Sequence, residues 1–393
     1  MIYRIFVSQT SFPLQFLVIF FLVSVGVQIV YLFIFLTAFR RRKAPQTHPG
    51  VPVSVVVCAH DECDNLRELV PLLLAQDYPE YEIIVVNDRS NDGTYDFLLE
   101  QTAKNPRLRM VDVQSTPERV NGKKYGLTLG IKAASHEWVL LTDADCRPAS
   151  EQWIHRMSQH FAEGVDFVLG FSPYVKGKGL LNLFIRFETL LTAIQYFAFG
   201  WLKNPYMGVG RNLAYRKSLF INKKGFNHFL HVAGGDDDLF VNLHARGSNT
   251  RLEISHESQM RSIPKTSWRS FFRQKVRHLA VGKRYRFSHR FLLGLFHLSW
   301  LLTWFSAVAV LVWFGLKVAS AGVSALVPLD AYLFLGAFAL RGILLLLLFR
   351  AIARQASLRF PLWALPVLDF IYTFYYLSTG LAALTSKTIR WRN

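Results

Sequence analysis

The sequence predicts an α/β domain, an open sheet with helices packed on it, set between membrane-spanning helices. Three observations predict it. From Pro52 to about Ile263, short β-branched runs alternate with mixed helical stretches. An uncharged apolar run precedes that region and three apolar blocks follow it. Finally, 51% of the residues are apolar while the net charge is +18, so apolar and basic residues must be segregated along the chain.

A length of 393 residues suggests two or three domains. A basic balance points to nucleic acid, an anionic membrane surface or phosphate-bearing ligands. Position decides here. Basic residues crowd at the ends of apolar stretches, as in Arg40-Arg41-Arg42-Lys43 and Arg390-Trp391-Arg392, where membrane-flanking charge is expected, and no nucleic-acid motif is present. Cys58, Cys63 and Cys146 are an odd trio without the ligand pattern of a zinc site, which predicts reduced structural thiols on a cytosolic face.

Leu14 to Phe39 exceeds the ~20 residues a bilayer core requires. The basic cluster follows at once, so residues 1–43 read as an anchor with its N-terminus outside. The run is longer than the apolar region of an ordinary signal peptide and lacks a clean cleavage site.

Val53-Ser54-Val55-Val56-Val57 is the first expected strand, Glu82-Ile83-Ile84-Val85-Val86 the second, and Trp138-Val139-Leu140-Leu141-Thr142 a third. Ligands of open α/β sheets bind beyond the carboxyl ends of strands, where turn amides and helix N-termini collect. Each of these strands runs into acids: Asp61 and Glu62, then Asp88, then Asp143 and Asp145. One rim would thus gather five carboxylates, which calls for a cation. Leu180 to Trp201 is nearly apolar enough to span, but Arg186, Glu188 and Gln195 interrupt it, which favours an interfacial or core helix.

Beyond Pro264, bulky apolar and basic residues mix from Trp268 to Leu279, as on an interfacial amphipathic helix, and residues 264–288 read as that element. Residues 289–393 form a membrane region with two to three segments among Phe291–Leu316, Ala331–Phe349 and Phe360–Leu384. Three full spans would leave the basic tail Lys387 to Arg392 outside, against the positive-inside tendency. The third block is the weakest, because Pro361, Pro366 and Asp369 could make it re-entrant or interfacial. Arg341 is expensive in lipid unless it faces neighbouring helices, with Asp369 as the expected partner.

Asp143-Ala144-Asp145 places two hard carboxylates at a strand end, where a divalent cation could bridge them to a diphosphate. The tripeptide alone is common in surface loops. Its context is Val86-Asn87-Asp88-Arg89-Ser90-Asn91-Asp92-Gly93-Thr94 and Ala59-His60-Asp61-Glu62, both ending strands. With these loops the chain resembles the membrane-bound branch of the family-2 glycosyltransferases, of the GT-A nucleotide-diphospho-sugar transferase fold with a mixed sheet. The resemblance continues through Gly122-Lys123-Lys124, Gly210-Arg211-Asn212, Gly234-Gly235-Asp236-Asp237-Asp238-Leu239 and Gln274-Lys275-Val276-Arg277-His278. It assigns residues 52–263 to a cytosolic catalytic domain.

The resemblance implies that Asp61, Glu62 and Asp88 contact the nucleoside, that Asp145 with Asp143 binds Mn²⁺ or Mg²⁺ and the diphosphate, and that Lys123 adds charge near the phosphates. The family's Glu-Asp-x-Asp-Leu element places the general base at Asp236, with Asp237 in reserve, since Gly235 stands where Glu is usual. One of the three consecutive acids would cap the following helix. Gln274 and Arg277 match Gln-x-x-Arg-Trp, with His278 in place of Trp, and would reach the diphosphate or acceptor from the membrane side. The implied activity is inverting transfer from a nucleoside-diphosphate sugar to a lipid-like hydroxyl acceptor by an integral membrane protein, of the inner or plasma membrane in a bacterium. His278 and the short membrane part favour single transfer over a processive polysaccharide synthase; a silent membrane scaffold is the alternative outside enzymes.

Overall fold

The computed structural model describes residues 12–40, 50–118, 120–232, 234–321 and 328–385. The basic cluster from Arg41 to Lys43 and the tail from Lys387 to Arg392 lie outside the described residues. The chain divides into two compact units.

One unit is drawn from residues 50–286, 352–359 and 379–385. Its main sheet has seven strands in the order β3-β2-β1-β4-β7-β6-β8. These are β1 (Val53–Ala59), β2 (Tyr81–Asp88), β3 (Leu108–Val113), β4 (Trp138–Asp143), β6 (Phe167–Gly170), β7 (Leu213–Arg216) and β8 (Thr250–Glu253). The first four in that order are mutually parallel, whereas β7 runs antiparallel to both β4 and β6. The sheet is therefore mixed. A short ribbon pairs β5 (Cys146–Pro148) with β9 (Met260–Ser262).

All three expected strands are present. β1, β2 and β4 are almost wholly buried, as near-continuous Val/Ile/Leu runs require when helices cover both faces of a sheet. Two apolar clusters result, one under the Cys63–Leu74 helix and one under the Gly122–Ala133 helix. The register sets Cys58 of β1 beside Val86 of β2 and Asp143 of β4, so three strands release the chain along a single edge.

Gly179–Trp201 is a helix of this unit with Phe184, Phe187, Ile194 and Phe197 fully buried, which settles the segment as a core element. Trp268–Gly282 is a second helix, opened by Ser267, whose hydroxyl accepts from the Ser270 N–H.

The other unit, drawn from residues 12–40, 287–321, 328–351 and 360–378, has helices and no strand among its described residues. Four helices, Phe12–Arg40, Phe287–Ala321, Pro328–Gln355 and Leu365–Thr385, are long and apolar enough to cross a membrane. Leu365–Thr385 is uninterrupted, because Pro366 falls in its first turn, where a missing N–H costs nothing. Asp369 is met by Arg341 in a two-pronged pair at 2.5 and 3.0 Å, the partnership expected from the sequence, and Trp304 Nε1 donates to the same carboxylate at 3.1 Å. The amide nitrogen of Gln28 is likewise engaged, donating to Phe296 O and Ser299 Oγ, each at 2.7 Å. Polar groups in hydrocarbon persist only with such partners.

Candidate functional site

Beyond the common edge of β1, β2 and β4 lies a cavity of about 840 Å³, entirely within the sheet-bearing unit. Two loops build its first wall. After β1 the backbone turns at Asp61 with φ +54°, and after β2 at Arg89 with φ +56°, a region that non-glycine residues rarely occupy. The loops brace one another: the Asp61 carboxylate accepts from the Asn91 N–H at 2.7 Å, and the Asp92 carboxylate from the N–H groups of Cys63 and Thr94. Asp61 therefore acts in the brace and is not among the cavity-lining side chains, whereas His60, Glu62 and Asp88 are.

Asp88 is 1% exposed and paired with Arg89 at 2.8 Å. Room for that pair comes from Gly122, where a Cβ would stand 2.5 Å from Arg89 Nη2 and 2.9 Å from Asp88 Oδ2. Gly122 also opens the helix that carries Lys123 into the cavity. Lys123 Nζ lies 2.8 Å from Asp143 and 3.5 Å from Asp236. Burial works against the Lys123 charge, yet Asp143 and then Asp236 outweigh it and hold the ammonium well above the usual lysine range.

Of the acids that the sequence gathers on this rim, Asp88 and Asp143 are thus paired by the protein itself, through Arg89 and Lys123. Among the described residues no three metal-ligating side chains converge. Asp143 and Asp145 nevertheless both line the cavity and offer two hard oxygen donors at one strand end. That donor set fits a divalent cation completing its shell with phosphate oxygens and water.

The three consecutive acids have three different environments. Asp236 is buried against the cavity; burial pushes its carboxyl up, but Lys123 and Lys124 draw it below the ordinary aspartate value. Asp237 caps the Asp238–His244 helix, its carboxylate accepting from the Gly210 N–H at 2.6 Å and the Asp238 N–H at 2.8 Å. Burial and then the charge of Asp236 push it up to about 6. Asp238 is buried, and burial followed by Asp237 raises it well above the usual range. Gly235 precedes them with φ +79°, and a Cβ there would come within 2.9 Å of Leu239 and Val281. A glutamate at this position would be strained in backbone and crowded in side chain.

The Trp268–Gly282 helix closes another side. Phe271, 1% exposed, packs edge-on against Phe184 with ring centroids 6.2 Å apart. Lys275 forms an ion pair with Glu188 at 2.5 Å. Gln274, Arg277 and His278 all line the cavity, with Gln274 Nε2 donating to the Tyr174 hydroxyl at 3.4 Å.

Sequence reasoning missed several lining residues. His60 stands beside Asp61, and Arg211 lies within Gly210-Arg211-Asn212, a stretch that carries the resemblance but implies no role for its residues. Tyr174, stacked under the Arg211 guanidinium at 4.6 Å, and Tyr196 carry no local signal, because only the fold brings their segments to the site.

Residues 54–222 match the family described as Glycosyl transferase family 2. A poly-beta-1,6-N-acetyl-D-glucosamine synthase of Staphylococcus epidermidis is 34% identical over 93 residues, covering 24% of this chain and 21% of that protein. A probable glycosyltransferase, YdaM, of Bacillus subtilis is 28% identical over 250 residues, covering 59% and 55%. The chain thus spans between about a fifth and about a half of the length of these curated relatives. Among solved structures, the mannosyltransferase PcManGT from Pyrobaculum calidifontis, in complex with GDP-Man and Mn²⁺, superposes with a TM-score of 0.60 at 18% identity. The superposition covers 95% of this chain and 100% of that one, a likeness of fold.

Proposed function

We propose that this chain, whose residues 54–222 match Glycosyl transferase family 2 and whose fold is like that of a solved mannosyltransferase, transfers a sugar, with inversion, from a nucleoside-diphosphate sugar to the hydroxyl of a lipid-like acceptor. The observation that carries the reading is Lys123, which reaches both Asp143 of the Asp-Ala-Asp triplet and Asp236. A leaving-group site and an ionised carboxylate thereby share one wall.

In this reading Asp236 takes the acceptor proton as the hydroxyl oxygen attacks the anomeric carbon from the face opposite the diphosphate. No enzyme nucleophile is needed. Asp145 with Asp143 would hold Mn²⁺ or Mg²⁺, which when bound supplies charge neutralisation at the diphosphate. Lys123 and Arg277 bring fixed positive charge to the same cavity, and Glu62 and Asp88, which also line it, would contact the nucleoside. The four apolar helices support an integral membrane protein; in this reading its catalytic domain is cytosolic, on the side of the basic cluster that follows the first helix, and its acceptor is membrane-borne.

The test is a thermal-shift screen of full-length protein in detergent against UDP- and GDP-sugars with Mn²⁺ or Mg²⁺, followed by transfer assays in lipid vesicles. Failure to bind any sugar nucleotide would overturn the reading and leave a silent scaffold. The similarity to a polymer synthase favours a second outcome, chain extension. A ladder of products rather than a single glycosylated lipid would select it.

A further inference from the structure

Lys124, the neighbour of Lys123, has no counterpart in the reaction described above. Its side chain is fully buried, and its Nζ donates to the carbonyl oxygens of Val232 and of Gly234, the latter at 2.5 Å. A buried ammonium is expensive, and burial lowers the Lys124 pKa to about 8 even though Asp236 and Asp237 act to raise it. The same loop is fastened to the start of the helix a second time, where the Asn121 N–H donates to Leu230 O at 3.0 Å. Phe229, also on the loop, holds its ring 5.7 Å from Nζ.

The loop leads directly to Asp236. Between the Lys124 contacts and that carboxylate stand Gly234 at φ +93° and Gly235 at φ +79°. Two successive glycines have the widest backbone freedom a chain offers, so the direction in which Asp236 points is set by what grips the loop.

We infer that Lys124 is a positioning residue that grips the carbonyls of Val232 and Gly234 and thereby aims Asp236 at Lys123 and the cavity. The inference rests on the reading of Asp236 as the base. Lys124 acts on Asp236 both through the backbone and through its charge. The charged groups around Lys124 are Lys123, Asp236, Asp237 and Arg284.

The test compares Lys124→Met, Lys124→Gln, Lys124→Arg and Asp236→Asn in full-length protein in detergent. UDP-glucose, UDP-N-acetylglucosamine and GDP-mannose are assayed side by side with Mn²⁺. For Lys124→Met, kcat falls about 10- to 100-fold with donor KM held within about two-fold, the signature of a displaced catalytic group. Amide exchange speeds up across 230–240 and is unchanged in β1, β2 and β4. The acid limb of the kcat profile moves to higher pH, because a positive charge that favours ionised Asp236 is gone; Lys124→Arg leaves that limb in place. Should Lys124→Met not fold, Lys124→Gln, which can still donate to a carbonyl, carries the test: a shifted limb supports the inference and an unshifted one overturns it. Unchanged kcat and exchange in Lys124→Met beside an inactive Asp236→Asn overturns this inference alone. An active Asp236→Asn overturns the assignment of the base beneath it.

Discussion

Lys123 Nζ lies 3.5 Å from Asp236 Oδ2 although the two residues are more than a hundred positions apart in the chain. The pairing separates Asp236 from its two acidic neighbours. Asp237 accepts backbone hydrogen bonds, burial and neighbouring charge push the Asp238 carboxyl up, and of the three it is Asp236 that is drawn below the ordinary aspartate value and pairs with Lys123.

Asp236→Asn should therefore lower transfer by about 10²- to 10⁴-fold, the usual contribution of a general base. Binding of UDP or GDP with Mn²⁺ should persist in thermal shift. Asp237→Asn should instead lower the melting temperature, since it disturbs the tie to Gly210, and should retain more activity than Asp236→Asn. The reverse ranking would move the base to Asp237.

Asp145→Asn and Asp143→Asn should each abolish the extra thermal shift that Mn²⁺ gives in the presence of UDP or GDP, because each removes one of the two hard donors at the end of β4. Chelation by EDTA should do the same to the wild type. A full Mn²⁺-dependent shift in the double variant would place the cation elsewhere.

Gly235→Glu installs the residue the family pattern carries at this position, yet it should reduce activity and stability. An L side chain at φ +79° is strained by about 1–2 kcal/mol before it meets Leu239 and Val281. Gly235→Ala should show most of the same loss. A neutral effect of both in melting and turnover would mean that the turn relaxes freely.

Glu253 donates no proton to any expected chemistry but accepts a 2.8 Å hydrogen bond from His160 and another from the Ser255 N–H. Burial pushes its carboxyl up, and these partners outweigh burial to leave it at about 2. A depressed carboxylate contributes stability that is present above its unfolded value near 4.5 and is lost as pH falls toward 2. That contribution is about 3 kcal/mol. Glu253→Gln should melt well below wild type at pH 7, with the gap narrowing by pH 3; a constant gap would contradict the linkage.

Arg341→Met or Asp369→Leu alone should destabilise the helical unit by about 3–5 kcal/mol, because each leaves a buried charge unpaired. The double variant should recover much of that loss. Additive effects in a double-mutant cycle of detergent melts would show that the pair is not coupled.

Much of the sheet was legible because a strand buried on both faces must be apolar throughout, and Val53–Val57, Glu82–Val86 and Trp138–Thr142 could adopt few other roles. The edge strand β3, the antiparallel β7 and the strands beyond β7 are not read from the sequence. At four residues each, β6, β7 and β8 are too short for periodicity to register, and their pairing partners lie far away in sequence.

By itself the sequence determined the α/β domain between long apolar helices and the edge at which its acids collect, and it pointed to Asp369 as the partner of Arg341, since a charge in an apolar helix is costly without a partner from a neighbouring one. Tertiary structure decided which acids face which cations. It turned Asp61 into a loop brace, made Asp237 the helix cap, gave Asp143 and Asp236 a common partner in Lys123, and sank Lys124 into the loop that leads to Asp236. The reason is electrostatic: a carboxylate's protonation and direction depend on burial and on charges a few ångströms away, and in this chain those charges come from segments that only folding brings together.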